Sequence, residues 1–279
     1  PIAVITMGDK GVEQFDFGHV DQLLAWKPAE GMAYYWINVT GVNAYVINKL
    51  REHYAFDTLI AEDIMNSEQR AKAEAFSNGM FAVMRMNWLQ DGVPLTEQVN
   101  FLLLPCCVIS VQEQEGDVFN SIRSRMRRPG SRFQKMGAPY LFYALVDAVV
   151  DHQFPVMDFF MDTFSLLEVD ILEGKAINPQ EQIHGYRKEL TLLMRALRPM
   201  REMVDLIASD PENILSAKLR PFWSDVHDHV KQLIDQMDVC RETARGLHEL
   251  HISLMSNRMN EVMKVLTVLA SFFIPVTFV

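Results

Sequence analysis

Residues 222–274 read FWSDVHDHVKQLIDQMDVCRETARGLHELHISLMSNRMNEVMKVLTVLASFFI, with no proline and one glycine, Gly246. An unbroken helix of this span is about 80 Å long at about 1.5 Å per residue. Val226, Val230, Leu233, Met237, Cys240, Ala244, Leu247, His251 and Leu254 recur by four and three. That is a heptad seam with one polar member, His251. So long a seam needs partner helices. Residues 140–208 of the same chain supply some of them, and the rest imply an oligomer. The helix runs on into VLTVLASFFIPVTFV, residues 265–279, which carry no charge. This run is about three-quarters of the roughly 20 apolar residues that span a membrane. Alone it fits a buried core helix as well as the start of a transmembrane helix. A stalk entering it without a break favours the membrane reading.

A second pattern lies on the same helix. Ser253, Ser256, Asn260, Met263, Thr267, Ala270, Ile274 and Thr277 recur by three and four, so they share a face. Small and mildly polar residues on one face fit helices arranged around a narrow axis, where each position becomes a ring. Ordinary close packing of membrane helices through small residues gives the same pattern.

Composition narrows the rest. The 279 residues are 49% hydrophobic and 22% charged, which excludes wholesale disorder. A net charge of −10 argues against nucleic acid as a partner, because phosphate binding wants a basic footprint. The same balance is compatible with binding cations. Cys106 and Cys107 are adjacent, Cys240 is remote, and no C-x-x-C pair exists, so a reducing compartment is expected. The opening PIAVITMGDKG has no basic-then-apolar leader, so no secretory signal is expected.

Along the chain, residues 2–7, 33–39, 80–88, 98–104 and 106–112 are rich in β-branched and aromatic residues between Gly or Pro, and read as strands. Pro105 marks a turn between two neighbouring strands. Residues 44–53 and 59–76 have helical period. After Gly116, residues 117–128, 139–154, 156–173, 179–209 and 211–219 read as helices, with Pro near several first turns. The expected class is α+β. An N-terminal α/β domain with a mixed sheet occupies 1–116 and a helical region 117–220. The stalk helix, 221–279, leads into a truncated first transmembrane helix.

No Walker loop, G-x-S-x-G, H-E-x-x-H or dinucleotide fingerprint occurs, so no catalytic residue is expected. His227 and His229 are two apart and face different ways on a helix, which makes them poor joint ligands. His248 and His251 share a face and suit a transition metal, although plain helix residues explain them as well. Residues 118–146 include Arg123, Arg125, Arg127, Arg128, Arg132 and Lys135, a basic stretch best read as a solvated face. Asp147 interrupts the apolar run 141–150.

The block SNRMNEVMKVLT at 256–267, followed by FIPVTF at 273–278, resembles the start of the first membrane helix of CorA-type magnesium transporters. AEDIMN at 61–66 with Gln69-Arg70, Gln112-Glu113 with GDVF at 116–119, and Tyr140 through DAVVD at 147–151 resemble the same family. So do PMRE at 199–202 and DVHDH at 225–229. The likeness runs collinearly from about residue 35 to 279. The family's Gly-Met-Asn signature would lie just past Val279, and Ala71 stands where a proline is common.

The resemblance implies a homopentameric channel in the cell inner (plasma) membrane, with this portion cytoplasmic. Mg2+ would be both transported and regulatory, with Co2+, Ni2+ or Zn2+ as alternatives. The partners would be copies of itself and the lipid membrane, with no nucleic acid and no organic substrate. The regulatory positions fall on Asp63 and Asp225 for a primary site, Glu62 and Asp147 for a second, and Glu68 where some members have a further ligand. Asn260 and Thr277 become polar rings, and Met263, Leu266 and Ile274 apolar constrictions that gate by excluding water. The chemistry is consistent: hard cations take carboxylates and keep waters, and removing the ion leaves like charges facing each other. A solvated helix face explains Glu62 and Asp63 as well, and an acid favoured at a helix N-terminus explains Asp225. The alternatives are a zinc transporter of the same superfamily and a soluble metal-binding oligomeric scaffold.

Overall fold

The computed structural model describes residues 1–9, 11–209, 214, 215 and 217–277, with side chains as far as residue 274. The elements run β1 (Ile2–Gly8), β2 (Gly11–Phe17), α1 (Val20–Ala25), β3 (Met32–Thr40), α2 (Ala44–Tyr54), α3 (Thr58–Met65), β4 (Lys72–Phe76), β5 (Gly79–Gln90), β6 (Val93–Leu104) and β7 (Cys107–Gln112). Helices α4 (Asn120–Met126), α5 (Arg132–Asp151), α6 (Gln153–Glu173), α7 (Pro179–Ser209) and α8 (Arg220–Thr277) follow. The chain divides into two compact units, residues 1–156 with 193–235 and residues 157–192 with 236–279.

The first unit is built on one seven-stranded sheet of order β2-β1-β3-β7-β6-β5-β4. Only β3 and β7 pair in parallel, so the sheet is mixed, as its sequence led us to expect. Strand alternation feeds two cores. Ile37 and Val39 of β3 join Ile47, Leu50, Ile60 and Ile64 of α2 and α3 in one cluster. Trp36 points to the other face, where its ring meets Phe119 at 5.8 Å; Phe119 meets Phe101, and Phe101 meets Phe142 of α5. Each fully buried side chain of this size stabilises the fold by about 1.5–3 kcal/mol. The polar ends are satisfied in series: Trp36 Nε1 donates to Ser110, and Ser110 donates to Asn38.

Helix α5 carries residues that matter later, and its placement is over-determined. Its backbone leaves helical geometry at Gly137, where φ is 73°. The regular part therefore starts near Pro139, in agreement with the sequence expectation and with proline's preference for a first turn. At the far end Gln153 is fully buried. It accepts from Asn87 at 2.5 Å and donates to the carbonyls of Arg85 and Val149 at 3.1 and 3.2 Å. The end of α5 is thereby pinned to β5.

Three expectations are corrected. The helix expected over 59–76 stops at Met65; Asp57 caps its start and the chain turns at Asn66. Residues 72–76 are instead the edge strand β4, in a tight hairpin that pairs Phe76 with Gly79. The turn residues are Ser77 and Asn78, both favoured in tight turns, with Gly79 opening the next strand. Strand β2, mostly exposed, was also missed, because an edge strand with one wet face shows little apolar alternation. Of the helix expected over 211–219, the described residues hold only a 3-10 turn, Ala217–Leu219; residues 210–213 and 216 lie outside the described residues.

In the second unit α6 and α7 form a helical hairpin. Phe160, Phe164, Leu167 and Ile171 of α6 and Ile183 and Leu190 of α7 are buried, and Tyr186 stacks edge-on against Phe160 and Phe164. The seam of α8, a helix of 58 residues, is buried without interruption from Val226 through Leu247. Beyond it coverage fails: His251 and Leu254 are half-buried, and the large apolar residues from Met255 to Ile274 are exposed. Among the described residues no helix is long and apolar enough to cross a membrane by itself.

Gly79 has a steric requirement, since a Cβ there would fall 1.9 Å from the Leu103 carbonyl oxygen across the β5–β6 pair. Gly185, on α7, has nothing within 4 Å of its would-be Cβ. Gly79→Ala should cost about 3 kcal/mol in urea unfolding, and Gly185→Ala should gain about 0.5–1 kcal/mol from helix propensity.

Candidate metal centre

Asp147 and Asp151 stand four apart on one face of α5, and Asp225 and His229 four apart on one face of α8. All four belong to the first unit. One ligand atom each from Asp147, Asp151 and His229 lie within 4.8 Å of one another, the only such group of three or more among the described residues. His229 Nδ1 lies 3.2 Å from Asp151 Oδ1, and Nε2 lies 4.0 Å from Asp225 Oδ1. The edge of the imidazole packs against Phe154, with ring centroids 5.9 Å apart.

The donors are incompletely used. Asp147 accepts from the Tyr143 hydroxyl at 3.1 Å through Oδ2, while its Oδ1 is buried with no hydrogen-bond partner. His229 Nδ1 is buried too, and its approach to Asp151 lacks hydrogen-bond geometry. Unpaired buried polar atoms are costly and call for an explanation. A cation between them answers both orphans at once. Burial, and next the charge of Asp151, push the Asp147 carboxyl up to about 6, against the opposing pull of Tyr143 and His229. Two carboxylates and an imidazole suit a partly hydrated Mg2+ through the oxygens and Co2+, Ni2+ or Zn2+ through the mixed set.

The other expected ligands sit differently. Asp63 is nearly buried on α3, accepts from the Gln69 side chain, and forms an ion pair with Lys72 at 2.5 Å. A cation reaching Asp63 has to displace that lysine. Glu62 and Glu68 are exposed. No hydrogen bond or ion pair among the described residues joins Asp63 to Asp225 or Glu62 to Asp147. His227 turns away to Asp205, 3.3 Å off, as its spacing from His229 suggested. On the lower part of α8, Asn260, Met263, Leu266 and Ile274 are all exposed in the single chain, the last three by 57%, 53% and 58%. The side chain of Thr277 lies outside the described residues.

Asp151 and His229 were not singled out as ligands from the sequence. The signal available was the pair of i,i+4 spacings, Asp147 with Asp151 and Asp225 with His229; what brings the two pairs together is the packing of α8 beside α5, where Tyr143 meets Phe222 and Trp223.

Comparison with known proteins places these elements. The family model described as CorA-like Mg2+ transporter protein matches residues 31–279. The cobalt/magnesium transport protein CorA of Thermotoga maritima is 34% identical over 247 residues, covering 88% of this chain and 70% of that protein. The putative metal ion transporter YfjQ of Bacillus subtilis is 25% identical over 248 residues, covering 89% and 77%. Among solved structures, the complete CorA magnesium transporter from Methanocaldococcus jannaschii superposes with a TM-score of 0.80 at 17% identity, covering 97% of this chain and 83% of that one. The α+β class read from the sequence is thus the fold of that transporter.

Because the Asp147 carboxyl is raised in the folded chain, its ionisation costs stability. The cost is absent below the ordinary Asp range near 3.8, grows as pH rises, and is complete above about 6. Asp147→Asn should therefore melt higher than the wild type at pH 7 without metal, by up to about 1–2 kcal/mol after allowance for partial exposure, and equally at pH 3.5. Added Co2+ should reverse the order, since it raises the wild-type melting temperature more than the variant's. Thermal melts at the two pH values, with and without Co2+, check both signs.

Proposed function

This chain belongs to the CorA-like Mg2+ transporter family, and we propose that it is the sensing and gating part of a homopentameric divalent-cation channel. Family membership makes it a transport protein and not an enzyme. On this reading the protein resides in the plasma membrane with the present portion in the cytoplasm. Residues 1–116 and 117–220 form the cytoplasmic sensor, and 221–279 the stalk that enters the bilayer. The carrying observation is the pair of facing i,i+4 sets, Asp147 with Asp151 on α5 and Asp225 with His229 on α8. The same α8 continues into the stripe Asn260, Met263, Leu266 and Ile274.

The mechanism follows from charge. With a divalent cation bound, the carboxylates are neutralised and α8 is held against α5. Without it, Asp147, Asp151 and Asp225 repel, and the least costly relief is to take up protons or to separate. Asp63 and Glu62 join the sensor at the boundary with a neighbouring copy, Asp63 exchanging its lysine for a cation, with Glu68 at the margin. In the assembled channel the residues exposed on lower α8 form rings: Asn260 and Thr277 pass the hydrated ion by contacts with its waters, and Met263, Leu266 and Ile274 close by excluding water. Mg2+ is then both cargo and regulator. A second reading, in which Co2+, Ni2+ or Zn2+ is the cargo, draws support from His229, because imidazole favours the softer ions.

Limited proteolysis tests the sensor. Mg2+ should slow cleavage of the wild type and promote a pentamer in sedimentation. Asp225→Ala and Asp63→Ala should each raise the Mg2+ needed for half protection by about tenfold, the loss of one charge-assisted contact. Protection unchanged in both variants would remove the sensor from this chain.

A further inference from the structure

Within the second unit, α7 and α8 enclose an open cleft of about 700 Å3, in the size range of small-molecule sites. Arg187 and Lys188 of α7 and Arg241 and Arg245 of α8 line it, together with Asp238 and Glu242. Four cations face two anions, a local positive excess in a chain whose net charge is −10. Arg241 is held by Asp238 at 3.5 Å and Arg245 by Glu242 at 3.2 Å, both on their own helix and both exposed. Pairs of this kind contribute only about 0.3–0.5 kcal/mol, so an anionic ligand readily takes the guanidinium groups over. They do hold the two forks at neighbouring positions on one face of α8. Among the described residues the side chains of Arg187 and Lys188 make no ion pair or hydrogen bond, and both residues are exposed.

We propose that this cleft binds a soluble polyphosphate anion as its Mg2+ complex. The guanidinium forks match phosphate oxygens bidentately, and Lys188 adds a point charge. Asp238 and Glu242, released from their arginines, face the Mg2+ that a triphosphate chain carries, which accounts for acids inside a basic cleft. No Phe, Tyr or Trp lines the space, and its one aromatic ring is the exposed imidazole of His184, so the charged cluster singles out the phosphate chain as the recognised group, and inorganic triphosphate and the triphosphate of a nucleotide qualify alike. A lipid headgroup is out of reach. Val265, where the uncharged run begins, lies about 30 Å beyond Arg245 along α8 at about 1.5 Å per residue, several screening lengths away.

Calorimetric titration of the chain tests this with Mg2+-tripolyphosphate, Mg2+-ATP, orthophosphate and vesicles containing a phosphoinositide. The two triphosphates should bind with similar affinity, weakening as salt rises, and orthophosphate at least about tenfold more weakly. The Arg187→Glu/Lys188→Glu pair, on the exposed side of α7, should fold normally and lose about a hundredfold in affinity. Asp238→Asn/Glu242→Gln should abolish the advantage of Mg2+ while keeping binding of the metal-free triphosphate. No saturable heat with either triphosphate, equal binding by the charge-reversed variant, or binding to the vesicles alone would overturn the proposal. So would a charge-reversed variant that shifts the sedimentation of the chain while the wild type binds no triphosphate, since the cleft would then be a contact between copies.

Discussion

Asp147 carries its charge where water is scarce and where a second carboxylate already stands. It lies four residues from Asp151 on α5, faces His229 of α8, and keeps one oxygen buried without a partner. The helix that carries it is held firmly. Helix α5 packs on the sheet through Phe142 and is tied to β5 through Gln153. The site therefore has few ways to relieve its own repulsion. It can take up a proton, as the rise to about 6 expresses, bind a cation, or let α8 move. The first two keep the helices together and the third does not, and the proposed sensor rests on that difference.

Helix α8 continues well past that site. Its upper part is a buried seam ending at Leu247, and its lower part presents apolar residues that nothing among the described residues covers. One helix of 58 residues carries Asp225 and His229 near its start and the exposed stripe near its end. The uncovered lower face is the physical reason for expecting neighbours there, whether other copies of the chain or lipid.

Much of this was legible in the sequence. The spacing by four and three from Val226 to Leu254 set out α8, and α7 begins and ends where Pro179 and Ser209 suggested. The five strands read from β-branched runs are all present, and the mixed sheet with its helical continuation followed from them. What failed was local. Reading 59–76 as one helix hid β4, and with it the ion pair of Asp63, since in a helix Lys72 would stand about 13 Å along the axis from Asp63. In the strand it folds back to 2.5 Å. The cluster at Asp147 was half visible. A charge inside an apolar run marked the position, but its partner His229 is remote in sequence and meets it only through tertiary packing, which periodicity does not encode.

On the proposed function, cation binding to the carboxylates of the sensing part closes a pore lined by α8. Its most direct test is Mg2+ flux into liposomes carrying the protein with its membrane part, measured with and without Mg2+ on the side of the cytoplasmic domain. The expected result is flux that Mg2+ on that side suppresses. Flux that ignores it would contradict the claim, and so would the absence of flux under both conditions.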